Sequence, residues 1–81
     1  MNLIQISGKV TQMYTEKNLD GTRKTTILAY NEDGGKRIWF KARGLSVFFE
    51  DANVKVGSKV MIDGRFEGES EIKVLDVNVL D

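Results

Sequence analysis

Apolar and polar residues alternate along most of this chain, and the alternation breaks only once. In the first run Ile4, Ile6, Gly8 and Val10 share one face, while Gln5, Ser7 and Lys9 share the other. A period of two marks a half-buried strand. Gly8 in mid-strand predicts a bend or bulge, where a strand passes from one sheet into another. Lys17-Asn18-Leu19-Asp20-Gly21 has turn chemistry. Thr25-Thr26-Ile27-Leu28-Ala29-Tyr30 is β-branched and apolar, and predicts a second strand. Asn31-Glu32-Asp33-Gly34-Gly35 predicts a hairpin turn, because Asp-Gly and Gly-Gly adopt positive φ at little cost. The third strand covers residues 36–44. Its back carries Ile38, Phe40 and Ala42, and its front carries Arg37, Trp39, Lys41 and Arg43.

After Gly44 the period lengthens. Leu45, Phe48, Phe49 and Ala52 are spaced i, i+3, i+4, i+7, which predicts one face of a short helix, with Phe48 and Phe49 as core plugs. Val56-Gly57-Ser58 turns into a fourth strand, where Val60, Ile62, Gly64 and Phe66 share a face. Gly64 again permits a bend, and Phe66 is expected in the core. Gly68-Glu69-Ser70 is a tight turn. The fifth strand begins with Ile72 and Val74 on one face and continues with Val77 and Val79 on the opposite parity. That slip predicts a bulge near Leu75. Five strands with one short helix between the third and fourth predict an all-β OB-fold barrel, a single domain over residues 1–81. An SH3-like barrel is the nearest alternative, although it usually lacks a helix at that point.

Composition narrows the chemistry. The chain has no Cys and no His, so disulfides, thiolate metal sites and the commonest general base are excluded. It carries neither a phosphate-loop nor a dinucleotide-binding glycine run. The expectation is therefore a protein that is not an enzyme and takes no cofactor, metal or small-molecule substrate. No apolar run approaches the ~20 residues of a membrane span, and residues 1–5 lack a basic signal-type segment. A cytoplasmic location is expected.

Twelve cations balance twelve carboxylates, so the formal net charge is zero. The distribution is polarised. Arg23, Lys24, Lys36, Arg37, Lys41 and Arg43 outnumber Glu32 and Asp33 within residues 22–43, whereas residues 44–81 carry eight acids against Lys55, Lys59, Arg65 and Lys73. A local positive patch binds phosphate on a neutral chain. Lys55, Lys59 and Lys73, lying amid acids in sequence, are expected to contribute little to it.

The front of the third strand suits a single-stranded nucleic acid. Arg37, Lys41 and Arg43 meet phosphates, and Trp39 offers a flat ring for a base. Lys36, Arg23 and Lys24 flank the hairpin and are candidates to track the backbone. Tyr14 is a further stacking candidate, with packing at the barrel mouth as its alternative. Tyr30 shares the parity of Leu28 and is expected in the core. The plainer alternative for the whole front is a half-exposed strand with ordinary surface charges.

The chain resembles the bacterial-type single-stranded DNA-binding proteins. Four segments carry the resemblance: residues 2–10 with glycine before an apolar residue, the Leu28-Ala29 pair, residues 39–44 with their closing glycine, and residues 56–66, which follow a Gly-Ser-x-Val-x-x-x-Gly pattern. The resemblance implies base stacking on the solvent side of the second and third strands, at Arg37, Trp39, Lys41 and Arg43. It also implies a homo-oligomer, dimeric or tetrameric. Three features depart from the family. Arg43 stands where an aromatic residue is common. The Glu67–Glu71 link is short and acidic where the family often has a long basic hairpin, so no DNA contact is expected there. The chain stops at Asp81 without the family's acidic tail, so tail-mediated recruitment of partner enzymes is not expected. The pattern fits a minimal phage, plasmid or mobile-element version.

The expected function is sequence-nonspecific binding of single-stranded DNA, or of RNA by the same chemistry. The alternative is a protein-interaction OB module, a replisome or mobile-element accessory subunit without its own DNA binding.

Overall fold

The structure, a computed structural model, describes residues 3–81. In chain order it comprises β1 (Leu3–Lys17), β2 (Arg23–Asp33), β3 (Lys36–Leu45), the helix α1 (Ser46–Asp51), β4 (Lys59–Glu67) and β5 (Glu71–Val79). The strands close into one barrel in the order β1-β2-β3-β5-β4. All pairs are antiparallel except β3–β5, which is parallel and closes the barrel. This topology, with α1 between β3 and β4, is the OB-fold.

One long strand joins the two halves of the barrel. Residues from Leu3 to Lys9 of β1 pair with β4, and residues from Lys9 to Lys17 pair with β2. The expected passage between sheets is therefore present beside Gly8. The bulge is not at Gly8, however. It lies three residues on, where Val10 pairs with Ala29 and Gln12 with Leu28, leaving Thr11 as the extra residue. Thr11 Oγ1 donates to the Leu28 carbonyl at 3.1 Å. Gly8 serves close packing instead, since a Cβ there would lie 2.7 Å from the Phe40 ring.

The second bulge is where the sequence phase predicts it. Asp63 pairs with Asp76 and Gly64 with Val74, so Leu75 is the extra residue of β5. Val74 and Val77 on either side of it thus both face inward and are buried. Gly64 sits opposite this kink, where a Cβ would collide with the Lys73 carbonyl oxygen.

The core comprises Val10, Ile27, Ala29, Phe40, Ala42, Val60, Ile62, Ile72, Val74 and Val77 from the strands, with Phe49 and Val54 from α1 and the segment after it. Phe49 is fully buried, as expected of a plug, while Phe48 is only partly buried against the core. Leu45 ends β3 and is exposed instead of continuing the helix stripe. A chain of three hydroxyls ties this end together, running from the exposed Thr15 to the buried Thr25 and on to the buried Ser46, with both links at 2.8 Å.

Two apolar expectations fail for one reason: the barrel ends before the strands do. Ile38 is 50% exposed and Phe66 is 53% exposed. Both continue an inward-facing parity, but each lies where no opposing wall remains. The β2–β3 loop is also tighter than residues 31–35 suggest. Asp33 pairs with Lys36, so only Gly34 and Gly35 form the turn, with φ of 57° and 81°. Two positive φ values match the right-handed twist of the strands they connect.

Candidate nucleic-acid interface

The two-residue turn dictates the register of the hairpin, and the register builds the site. Counting back from Asp33 and Lys36 pairs Glu32 with Arg37, Tyr30 with Trp39, Leu28 with Lys41 and Thr26 with Arg43. Directly paired residues share a face of the sheet. Ile27, Ala29, Phe40 and Ala42 fill the inner face, so the alternate set points outward. On β1 the Thr11 bulge reverses the parity. Lys9 before it and Gln12 and Tyr14 after it join the same outer face, in register with Tyr30, Leu28 and Thr26.

Six of the eight candidate residues come together on this surface: Tyr14, Lys24, Arg37, Trp39, Lys41 and Arg43. Tyr14 is 50% exposed and lies in the cross-strand row Tyr14, Thr26, Arg43. Lys24 lies in the row of Glu16 and Leu45, at the end away from the hairpin turn. The other two are elsewhere. Lys36 has the parity of Phe40 and so projects to the opposite side of the hairpin from Trp39. Arg23 has the parity of Thr25, so it projects away from this face, and it pairs with Glu50 of α1 at 3.5 Å.

Tyr30 corrects the sequence reading. It is not a core residue. It stands on the outer face beside Trp39, with ring centroids 5.1 Å apart and planes inclined at 54°. The Arg37 guanidinium lies over the Tyr30 ring, 4.4 Å from its centroid. Leu28 and Tyr30 are apolar, but so are Ile27 and Ala29, and β2 therefore has no polar face to mark the outside. The signal that locates Tyr30 is the Gly34-Gly35 turn, since strands joined by a two-residue turn place residue 30 opposite residue 39.

The cluster is held by modest forces. A tilted aromatic pair contributes about 0.5–1.5 kcal/mol beyond its buried area, and an exposed cation–π contact about 0.5–1 kcal/mol. Arg37 Nε is 3.8 Å from Glu32 Oε1, with both side chains more than half exposed. Such a pair is worth about 0–1 kcal/mol, so a phosphate can displace Glu32 at little cost. Trp39 keeps 49% of its surface exposed. The result is a ring open to stacking, propped by a second ring and bordered by cations on both sides.

Tertiary pairing also brings cations from the two halves of the chain side by side. The β1–β4 register sets Lys59 beside Lys9, and the parallel β3–β5 register sets Lys73 beside Arg43. Two cations from the acidic half thus flank the basic face. Glu71 lies beside Lys41 in the same parallel register, so the acidic β4–β5 turn borders the face on that side. Among the described residues no group of acids, His or Cys is arranged to hold a metal ion.

No protein-family profile and no curated protein sequence matches this chain. Solved structures do match its fold. The N-terminal domain of PriB from Thermoanaerobacter tencongensis, described as dimeric, superimposes with a TM-score of 0.83 at 21% identity, covering 99% of this chain and 97% of that one. The mitochondrial single-stranded DNA-binding protein Rim1 of S. cerevisiae gives 0.81 at 14% identity, covering 99% and 94%. A small single-stranded DNA-binding protein from Streptomyces coelicolor gives 0.67 at 16% identity, covering 99% and 95%. The chain shares their fold over its whole described length. The SH3-like alternative is thereby excluded, and the OB-fold reading stands on both topology and likeness.

Proposed function

We propose that this protein binds single-stranded DNA without sequence preference on the outer face of β1, β2 and β3. The observation that carries the reading is the half-exposed Trp39 ring, propped by Tyr30 and set among Arg37, Lys41 and Arg43. Stacking on an aromatic ring tolerates any base, and cations along the same face meet the phosphates whatever the sequence. The fold neighbours named as single-stranded DNA-binding proteins support the same reading. Arg43, where the resembling family often has an aromatic residue, offers a guanidinium plane that can stack on a base or meet a phosphate. No helix among the described residues is long and apolar enough to cross a membrane, and we place the protein in the cytoplasm with its DNA. The dimeric PriB domain supports self-association of this chain as well.

Trp39 is the only tryptophan, so its emission reports the site directly. Titration with oligo-dT and oligo-rU is expected to quench it, and the relative affinities decide between DNA and RNA. A face that ignores every oligonucleotide overturns the proposal and leaves a protein partner as the occupant.

A further inference from the structure

The basic face has a margin that carries charge of its own. Lys9 pairs with Lys59 in the β1–β4 register and with Tyr30 in the β1–β2 register. Tyr30 pairs with Trp39. One cross-strand row therefore runs Lys59, Lys9, Tyr30, Trp39 over four strands. Like charges placed directly opposite on a sheet destabilise it, and neither ammonium forms an ion pair among the described residues. Asp81 lies near, but its carboxylate accepts from the Lys59 backbone N–H at 3.4 Å and not from the side chain.

The row coincides with a concavity. Beyond Lys9, β1 follows β4 while β2 runs on into the hairpin. The gap between them is a cleft of about 340 Å³ whose walls include Ser7, Lys9, Tyr30, Asn31, Glu32 and Lys59. Glu32, the one acid in the wall, is drawn toward Arg37. Asn31 Nδ2 donates to the Ser7 carbonyl at 3.2 Å across the gap, which ties the hairpin root to β1.

We infer that this cleft holds one phosphodiester of the bound strand between Lys9 and Lys59, next to the base stacked on Trp39. The inference rests on the nucleic-acid reading and extends it. Two ammonium groups on one cavity repel until an anion lies between them. An anion covalently continuous with a base on Trp39 satisfies both ends of the row. The strand then crosses the barrel strands, passing from the open sheet over the edge where β1 changes partner, and does not simply follow β3.

The test compares the salt dependence of oligo-dT binding for the wild type, the Lys9→Gln/Lys59→Gln double variant and a Lys55→Gln control. Loss of one phosphate contact on a single strand lowers the slope magnitude by ~0.7 in log–log terms. The double variant is expected to show that drop and the control none. Its saturating Trp39 quenching is expected to keep its amplitude, because the stacked base remains. Unbound, the double variant should melt no lower than the wild type, since a repulsion has been removed. A folded double variant with the wild-type slope overturns the cleft and leaves the DNA-binding face standing. A double variant that melts well below the wild type also overturns it, because the lysines then support the fold. A wild type that binds no oligonucleotide overturns the face and the cleft together.

Discussion

Tyr30 and Trp39 stand directly opposite each other on β2 and β3, and the two rings lean together on the outside of the barrel with Arg37 over the first of them. Neither ring is needed to fill the core, since Ala29 and Phe40, their neighbours in sequence, already do so. The pair is surface structure whose stabilising value is small and whose shape is suited to a ligand.

Trp39→Ala is accordingly expected to weaken oligo-dT binding by ~1–3 kcal/mol while lowering the melting temperature only modestly, far less than Phe49→Ala does. Tyr30→Ala should weaken binding too, by removing the prop beneath Trp39 and the seat of Arg37. Because the two residues act as one unit, the double variant should lose less than the sum of the singles. Strict additivity in that cycle, read by fluorescence anisotropy of a labelled oligonucleotide, would show that Tyr30 has no part in holding Trp39.

The charged flank makes a separate prediction. If Arg37, Lys41 and Arg43 each meet a phosphate, replacing all three with Ala lowers the salt slope by about 2. If Arg43 stacks on a base instead, the drop is ~1.4 and more of the loss is independent of salt. Lys55 lies in the connection between α1 and β4, outside the face, and Lys55→Ala should leave the slope where it was. Equal slopes for the triple variant and for Lys55→Ala would remove the face from the binding site.

The two helix phenylalanines should separate in stability. Phe49 is fully buried in the barrel core and Phe48 only partly so. Phe49→Ala is expected to cost ~3–5 kcal/mol, as large-to-small changes in a packed core do, and Phe48→Ala clearly less. Chemical denaturation of both variants beside Trp39→Ala checks the order. A near-neutral Phe49→Ala would mean that α1 does not close the core.

Gly64→Ala tests the second bulge. The added methyl would collide with the Lys73 carbonyl oxygen, and that atom is backbone, so relief requires β4 and β5 to part. Overpacking of this kind typically costs ~1–3 kcal/mol. Deletion of Leu75 in the same background removes the kink that Gly64 faces and should change the penalty. Thermal melts of the single and combined variants provide the comparison, and an unchanged penalty would uncouple the glycine from the bulge.

Much of the architecture is legible in the residues alone. Strand periodicity, the single lengthening of the period after Gly44 and the two turn glycines at 34 and 35 define five strands, one helix and a hairpin, and local backbone chemistry is enough to specify each. The Leu75 bulge is legible for the same reason, since a one-residue insertion moves Val77 to the opposite parity from Val74. So is the aromatic and cationic front of β3, because alternate residues on a strand must point to opposite sides. What the sequence leaves open is which residues become neighbours and where the barrel stops. β2 is apolar on both faces, so parity alone puts Tyr30 in the core, and only pairing with β3 brings it out beside Trp39. Ile38 and Phe66 keep the inward rhythm, yet their burial depends on an opposing wall that the closed barrel does not extend to them. Lys59 and Lys73 sit among acids in the chain, and only the β1–β4 and β3–β5 registers carry them to the basic face. Periodicity is a property of neighbours along the backbone, whereas a binding surface is made of neighbours across it, and those are decided by how the barrel closes.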